Sequence, residues 1–374
     1  MAKLYDVAIL GGSAGAYAAA CHMAKARKDM QIAVISPPAK TTDCPLADWV
    51  PRGFFEPKFL TRSFVKSSGA LAFKRVAYHN SDLSSQMDQI YHKPAGHFYQ
   101  AGQLENALRD MAKDLGVTVR NTSTDPAINL QEDQVRLVGS IQVRASMLLL
   151  AHDRPSEVIS ELSLPVRTVP RSNLVVAGLD VPIGKDLPDD LFADELHVVE
   201  MPERSELGLF FRVGNIIHLR MISKSAASGN RASELSTMVA RLQQAEILPA
   251  RMQLGKVTGA VWHPPAGVAL EMETHVAKRC ILAGSAGGFC ESITGHATYP
   301  SVRSTLLAAD VMLDALKAKD PQDVLMKFKG LWRSELADYL RPPNTSLHML
   351  LPLLFANRRM ASRFSSALLF GENI

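Results

Sequence analysis

Residues 6–20 read DVAILGGSAGAYAAA, and the way this stretch is parsed decides the fold. A short apolar run, residues 5–10, ends in two glycines. A strong helix former follows, AYAAACHMAKARK, and then a second apolar run, QIAVIS. Strand, tight turn, helix and strand together make a βαβ unit of about thirty residues. A turn that holds a dinucleotide wants glycine at three places: for the bend, for backbone approach to a pyrophosphate, and for helix-on-strand packing. Gly11 takes the first, Ser13 stands at the second and Ala16 at the third, with Gly12 and Gly15 between them. Alanine adds one methyl. Serine adds a hydroxyl that can itself donate to a phosphate oxygen, and the helix N-terminus still offers free N–H groups and a positive dipole end. The competing reading is a strand–turn–helix that holds no cofactor. Where such folds carry Asp or Glu after the next strand to grip a ribose, this chain has Ser36, and a serine makes one neutral hydrogen bond in place of a charge-assisted one. Lys40 is placed to approach a phosphate or, more plainly, to sit in solvent.

Composition bounds the rest. The chain has 374 residues, 47% of them apolar, which suffices for a large core. A net charge of +4 with no dense basic run excludes a nucleic-acid binder. The four cysteines, Cys21, Cys44, Cys280 and Cys290, show no CxxC pair and no metal-ligand spacing, so no metal is expected and a reduced, cytoplasmic setting is. The first strand begins within a few residues of the start, which leaves no room for a signal peptide, and no apolar stretch reaches the length of a membrane span.

Along the chain, residues 37–80 are loop-rich. An amphipathic helix is expected over 103–115, stopped by Gly116, and strands over 135–151. Residues 172–223 contain alternating segments (HVVEM, LGLFFRV, IIHLRMI) joined by turn residues, a sheet-forming insertion. A helix follows near 232–245. Then CILAGSAGGFCESITGHATYPSV, residues 280–302, places a glycine-rich loop between a strand and a long helix, a second anion-binding arrangement. The tail, 347–370, is helical and apolar with a cationic insert.

The order and spacing of these motifs resemble the flavin monooxygenases of the hydroxybenzoate hydroxylase type, and within them the geranylgeranyl reductase-like and halogenase-like branch. The resemblance spans nearly the whole chain. It rests on the βαβ turn, on DCPLADWVPRG with Cys44, Pro51 and Arg52, on LENALRDMAKDLGVTV, on AHDRPS with Asp153 and Ser156, on the Gly284-Ser285-Ala286-Gly287-Gly288 loop, on SITGHAT, and on the closing LLFANRRMASRFSSALLFGEN. It implies an α/β fold: a Rossmann-like FAD-binding domain from residues 1–170 and 256–320, an inserted β-sheet substrate domain at 171–255, and a C-terminal helical segment at 321–374. It implies FAD on Gly11, Gly12, Ser13, Gly15, Ala16 and Ser36, with Arg52 and Asp153, and on Gly284, Ser285, Gly288, Gly295, His296 and Ala297. It implies hydride or oxygen chemistry on an apolar, prenyl-like or aromatic substrate. The letters depart from the family at its acidic anchors, where Ser36 and Ser285 stand, and Arg154 replaces a glycine. Each lost charge-assisted contact costs about 1.5–3 kcal/mol unless another group replaces it.

No nucleophile elbow is present, because the serine of GGSAG follows a nucleotide-type glycine turn, and no H-E-x-x-H occurs. In the family that the chain resembles, the hard chemistry belongs to the flavin. Cys44 and His296 are the candidate catalytic groups, each balanced by a structural reading. Trp49 and Trp262 are read as pocket walls or as core. Phe210 and Phe211 point to opposite faces of a strand, so only one can face a pocket. The tail leucines with Arg358, Arg359 and Arg363 suit peripheral contact with a membrane surface or, more plainly, a helix pair closing the substrate domain. No second dinucleotide turn identifies an electron donor. The rival from another class is a degenerate flavoprotein fold without FAD that serves as a binding or scaffold protein.

Overall fold

The computed structural model describes residues 3–38, 47–152, 162, 164, 173–183, 188, 190–201, 206–223, 231–250, 252, 260–342 and 347–372. Cys44, Lys40, Asp153, Arg154 and Ser156 lie outside these residues.

The opening stretch folds as strand Leu4–Leu10, helix Ala14–Ala26 and strand Ile32–Ser36. The first strand pairs in parallel with Ile32–Ser36 on one side and with Gln142–Leu150 on the other. Cys280–Leu282 adds in parallel beyond Gln142–Leu150, and Thr118–Asn121 beyond Ile32–Ser36. A parallel sheet is covered on both faces, so its strands read as unbroken apolar runs; Leu148, Leu149 and Leu150 are all fully buried. One face carries the helix Ala14–Ala26, whose Ala18, Ala19 and Ala20 are fully buried, and the long helix Thr298–Ala315 packed beside it. Alanines let the two helices approach closely. The expected helix at 103–115 is present as Gln103–Asp114, and Gly116 follows it at φ +82°.

A second sheet of seven strands stands apart from the first, in the order Ala260–Trp262, Val175–Pro182, Ile216–Ser223, Glu206–Val213, Glu195–Glu200, Arg75–His79, Gln86–Ile90. It extends beyond the expected limits of 171 and 255, because Arg75–His79 joins Glu195–Glu200 in parallel and Ala260–Trp262 joins Val175–Pro182. Residues 37–80, expected to be loop-rich, thus contribute strands. Ala47–Pro51 and Leu71–Phe73 also pair, through Gly96–Gln100, into a three-stranded sheet. Elements of three to five residues are too short to show a hydrophobic period in sequence.

Both faces of the seven-stranded sheet are covered. Phe210 faces Leu235, Met238 and Leu242 of the helix Arg231–Gln244. Phe211 faces the tail helices Leu347–Ala356 and Arg358–Phe370 through Leu350, Leu354, Phe364 and Leu368. The two phenylalanines alternate as expected, and both are core residues. The tail is a helix pair that closes this sheet, with Met349 and Leu353 left exposed. No helix among the described residues is long and apolar enough to cross a membrane.

Gly11 shows how tightly the opening turn is built. Its φ is +143°, and a Cβ there would lie 2.5 Å from the Ala151 carbonyl oxygen. Gly11→Ala is expected to lower stability by about 2–3 kcal/mol, combining strain with a clash against rigid backbone. Gly116→Ala, at φ +82° with nothing nearby, is expected to lose about 1–2 kcal/mol. Denaturant midpoints of the two variants check the order, and equal losses would exclude the close approach at Gly11.

Candidate functional site

The site begins at the first turn. Ser13 is the N-cap of helix Ala14–Ala26 at φ −83° and ψ 166°, an extended conformation open to any residue, so glycine is not needed there for shape. Its hydroxyl accepts from the Ala16 amide at 3.4 Å and donates to the Ala151 carbonyl at 3.5 Å. Both contacts are long, so the hydroxyl is held loosely. The amides of Ala14 and Gly15 lie in the first helical turn, where no intrahelical acceptor exists. Gly15 meets the other long helix: a Cβ on it would be 3.1 Å from the Ser301 carbonyl oxygen, and Thr305 Oγ1 donates to the Gly15 carbonyl at 2.8 Å. The close-packing glycine of the turn is thus Gly15, while Ala16 is fully buried behind it.

Residues 284–301 supply the opposite wall. Gly284–Gly287 make a 3-10 turn, tied down by Gly284 N–H donating to Ser304 Oγ at 2.9 Å. From behind, the fully buried His275 donates through Nε2 to the Gly287 carbonyl at 2.9 Å. Burial pushes the His275 imidazole down to about 4 against the opposing pull of that carbonyl, so it sits there neutral. Next, the buried Glu291 carboxylate accepts from the Ile293 and Thr294 amides and the Thr294 hydroxyl, which fixes the turn leading to Gly295. Gly295 has φ +74°, and a Cβ there would stand 2.7 Å from Pro264 Cγ.

Between these walls runs a cleft of about 380 Å³. One end is lined by Ser13, Ala14, Gly15, Ser285, Ala297 and Ser301, the other by Arg220, Val261, Trp262 and Pro264. At the centre sits Asp48. Its Oδ1 lies 3.3 Å from Arg220 Nη1 and 3.3 Å from His296 Nδ1, and its Oδ2 accepts from the Thr298 hydroxyl. Burial alone would raise its pKa. The His296 imidazole, the Arg220 guanidinium and the Thr298 hydroxyl outweigh burial and hold the carboxyl well below the usual carboxylate range. Asp48 thereby joins the three-stranded sheet, the seven-stranded sheet and the start of the long helix.

The expected site residues divide into groups. Ser13, Gly15, Ser285, Gly295, His296 and Ala297 all line the one cleft. Gly11, Gly12, Ala16, Gly284 and Gly288 shape the turns behind it and are not among its lining residues. Ser36 lies against the turn, where a Cβ on Gly12 would be 2.2 Å from its Oγ, and the Tyr17 hydroxyl lies on the same side of Gly12. Arg52, expected at the cofactor, instead stacks over the Phe370 ring at 4.3 Å, because its short 3-10 turn faces the tail helix. His296, expected as a candidate catalytic group, has both ring nitrogens engaged: Nε2 accepts from the Tyr299 amide at 3.3 Å, so Nδ1 carries the proton offered to Asp48. Its ring also stacks on Trp49 at 4.3 Å. The His296 ring is thus held at both nitrogens and on one face. Cys44 and Asp153 lie outside the described residues.

Sequence reasoning missed Asp48, Arg220 and Thr298. Asp48 sat within the quoted DCPLADWVPRG, where Cys44 and Arg52 drew the attention. Arg220 carried no such signal: alternation in IIHLRMI groups it with His218, opposite Ile217, Leu219 and Met221, as it would an outward-facing polar residue. Among the described residues no cluster of histidine, cysteine and carboxylate suits a metal.

Asp48→Asn is expected to destabilise the protein by about 2–3 kcal/mol at neutral pH, because it strands a buried guanidinium. The folded pKa of Asp48 is depressed, so its contribution is complete above the unfolded value of about 4 and is lost as pH falls toward the folded value. Wild-type and variant stabilities should therefore converge between pH 4 and pH 2 in denaturant titrations. A gap that stays constant over that range would exclude an ionised, paired Asp48.

Similarity searches place this geometry. No protein-family model matches the sequence, and no curated protein matches it. Solved structures do match over the whole chain. A geranylgeranyl bacteriochlorophyll reductase-like protein of Thermoplasma acidophilum aligns with a TM-score of 0.73 at 16% identity, covering 100% of this chain and 98% of that one. A triple mutant of the flavin-dependent brominase Bmp2 aligns with a TM-score of 0.73 at 12% identity, over 98% of this chain and 94% of its own. The p-nitrophenol 4-monooxygenase of Pseudomonas putida aligns with a TM-score of 0.67 at 15% identity, over 98% of this chain and 94% of its own. At such identities the likeness speaks for architecture, and the chain has the fold that the reductase-like protein, the flavin-dependent brominase and the p-nitrophenol monooxygenase share.

Proposed function

We propose that this chain is a flavin-dependent oxidoreductase that holds FAD along the cleft and acts on a small apolar or aromatic substrate. One observation carries the reading: the first turns of two helices, at Ala14–Gly15 and at Thr298–Ser301, line the same cleft, and further along the second helix Thr305 donates to the Gly15 carbonyl and holds the two helices side by side. Helix N-termini are ready-made anion sites, and two of them facing one groove suit a molecule with a central pyrophosphate. A second observation agrees. Ser301 Oγ is buried at that end of the cleft and has no hydrogen-bond partner among the described residues, and a buried hydroxyl without a partner suits a polar ligand.

In this reading the Ala14 and Gly15 amides and the Ser13 hydroxyl hold the pyrophosphate. Ser285 meets the sugar-alcohol chain, and the backbone from Gly295 to Thr298 lies at the ring edge. The flavin, when bound, supplies the electron-transfer chemistry that no side chain here supplies. The protein's own part is to bind, orient and keep water out. Trp262, Val261 and Pro264 give the far end of the cleft an apolar lining, which supports an apolar or aromatic substrate. The Asp48 hub fixes Thr298 and His296, and so fixes the tip of the long helix on which the ring edge would rest.

The purified protein is expected to be yellow and to release FAD on heating. Flavin-depleted protein should regain stability on adding FAD, by about 2.7 kcal/mol at a hundredfold excess over Kd. Ser285→Asp adds a charged acceptor at the cleft and should tighten FAD about tenfold, the effect of about 1.4 kcal/mol from one charge-assisted hydrogen bond. A colourless protein whose melting temperature ignores FAD would overturn the proposal in favour of a non-catalytic binding protein on the same fold.

A further inference from the structure

We infer that His79 and His197 form an acid-sensitive latch, which holds the edge strands Arg75–His79 and Gln86–Ile90 on the seven-stranded sheet at neutral pH and releases them as the medium acidifies. The inference is independent of what the cleft binds.

Arg75–His79 joins Glu195–Glu200 in parallel, whereas the other pairs of this sheet are antiparallel among the described residues. Alternation puts Arg75, Ala77 and His79 on the same face as Glu195, His197 and Val199. There the two imidazoles bridge the joint. His79 Nε2 lies 3.0 Å from His197 Nδ1, and the rings stack at 5.3 Å and 13°. They are only 2% and 3% exposed. The His197 ring stacks in turn on Phe210 at 4.1 Å, and Phe192 stands edge-on to both at 5.0 and 5.3 Å. Phe192 has φ +55° and Asp194 φ +62°. Side chains rarely adopt this left-handed backbone, and packing must sustain it. The same turn is tied to the joint, since the Lys74 and Arg75 amides donate to the Asp194 carbonyl.

Glu195 Oε2 lies 3.0 Å from His197 Nε2, so that nitrogen carries the proton of the neutral ring. Nδ1 is then left to accept from His79 Nε2. One further proton fits only on His79 Nδ1, within the packed face. A second would set two N–H groups head to head on two cations. Burial pushes His79 down to about 4, and the neighbouring His197 adds to this, against the pull of Asp88 and Glu195. Burial also pushes His197 down, against Glu195. Other charges around the joint are committed. Arg75 pairs with Asp88 at 2.8 Å and Glu195 at 2.6 Å. Arg212 donates to the Pro188, Leu191 and Gly214 carbonyls. On the covering helix Arg241 donates to the Ser81 carbonyl and Glu234 is half-buried, while Glu200 accepts from the Ser81 amide.

In the released state the rings meet water and titrate at the ordinary value of about 6.5. Their folded values are lower, so the latch is at full strength above about 6.5 and weakens as pH falls toward the folded values. His79 alone then favours opening by about a hundredfold between pH 7 and pH 4. The window precedes the one in which Asp48 is lost. Release also bears on the cleft: the hairpin is flanked by Leu71–Phe73 and Gly96–Gln100, which belong to the sheet that carries Asp48.

Hydrogen exchange of the full chain at pH 7, 5.5 and 4, corrected for the intrinsic rate and read by mass spectrometry, tests the latch. Peptides covering 75–90 and 190–199 should lose protection by about a hundredfold from pH 7 to pH 4. Peptides covering 4–10 and 142–150 should change by less than about threefold over that range. His79→Phe keeps a stacked ring without the titration and should cut the loss at 75–90 to less than about tenfold. Adding His197→Phe should abolish it. Should the variants fail to fold at pH 7, judged by circular dichroism, nuclear magnetic resonance titration of the wild-type imidazoles decides: His79 neutral at pH 5.5 in the folded protein supports the latch. Unchanged protection of 75–90 down to pH 4, loss in step with the parallel sheet, an undiminished loss in the phenylalanine variants, or a folded His79 charged at pH 5.5 would overturn it.

Discussion

The contact between Gly15 and the pair Ser301–Thr305 is the constraint on which the rest of the molecule depends. It is a hydrogen bond from a threonine hydroxyl to a helix carbonyl, possible only because Gly15 carries no side chain. Through it the helix that opens the chain and the helix that follows the glycine loop lie side by side over one parallel sheet. Their first turns are thereby forced to face the same groove. Without this approach the two helix tips would be unrelated features; with it they line one cleft.

Asp48 is the second organising element, and it works by charge where Gly15 works by absence. A single carboxylate collects donors from a strand of the seven-stranded sheet, from the turn before the long helix and from that helix itself. The arrangement fixes the relation between the sheet that walls the far end of the cleft and the helix tip that forms the near end. It also explains why His296 is a strut. Its ring is clamped between Trp49, Asp48 and a backbone amide, and a group held on every side is suited to positioning others.

The parallel sheet was legible in the sequence because buried parallel strands appear as apolar runs and the turn between two of them needs its glycines. The order of motifs carried the overall architecture even where single letters had drifted. Ser13 shows why the drift is tolerated: its backbone is extended, so the second glycine of the motif is a matter of room and not of conformation. Ser36 was read as a weakened ribose anchor, and the structure adds what the sequence had no means to show, that its hydroxyl lies against Gly12 with the Tyr17 hydroxyl nearby. The strands at 47–51 and 71–79 were not legible, since pieces of three to five residues carry no period. The Asp48–Arg220 pair was hidden for a different reason. Its members are separated by 172 residues, and only the folded sheet brings them together. Arg52 stands over the Phe370 ring, a contact between distant positions that only folding brings about, since a resemblance transfers the position of a residue and not the direction of its side chain.

The strand order of the parallel sheet has a consequence for how the chain comes to fold. Leu4–Leu10 precedes both of its neighbours in sequence, yet it is sandwiched between Ile32–Ser36 and Gln142–Leu150, and Gln142–Leu150 in turn borders Cys280–Leu282. Between the synthesis of residue 150 and that of residue 282, the edge at Leu148–Leu150 offers unpaired amides and carbonyls flanked by leucines, an arrangement prone to mispairing with another chain. Nascent polypeptides are therefore exposed to aggregation over that interval, and a truncation within it makes the exposure permanent.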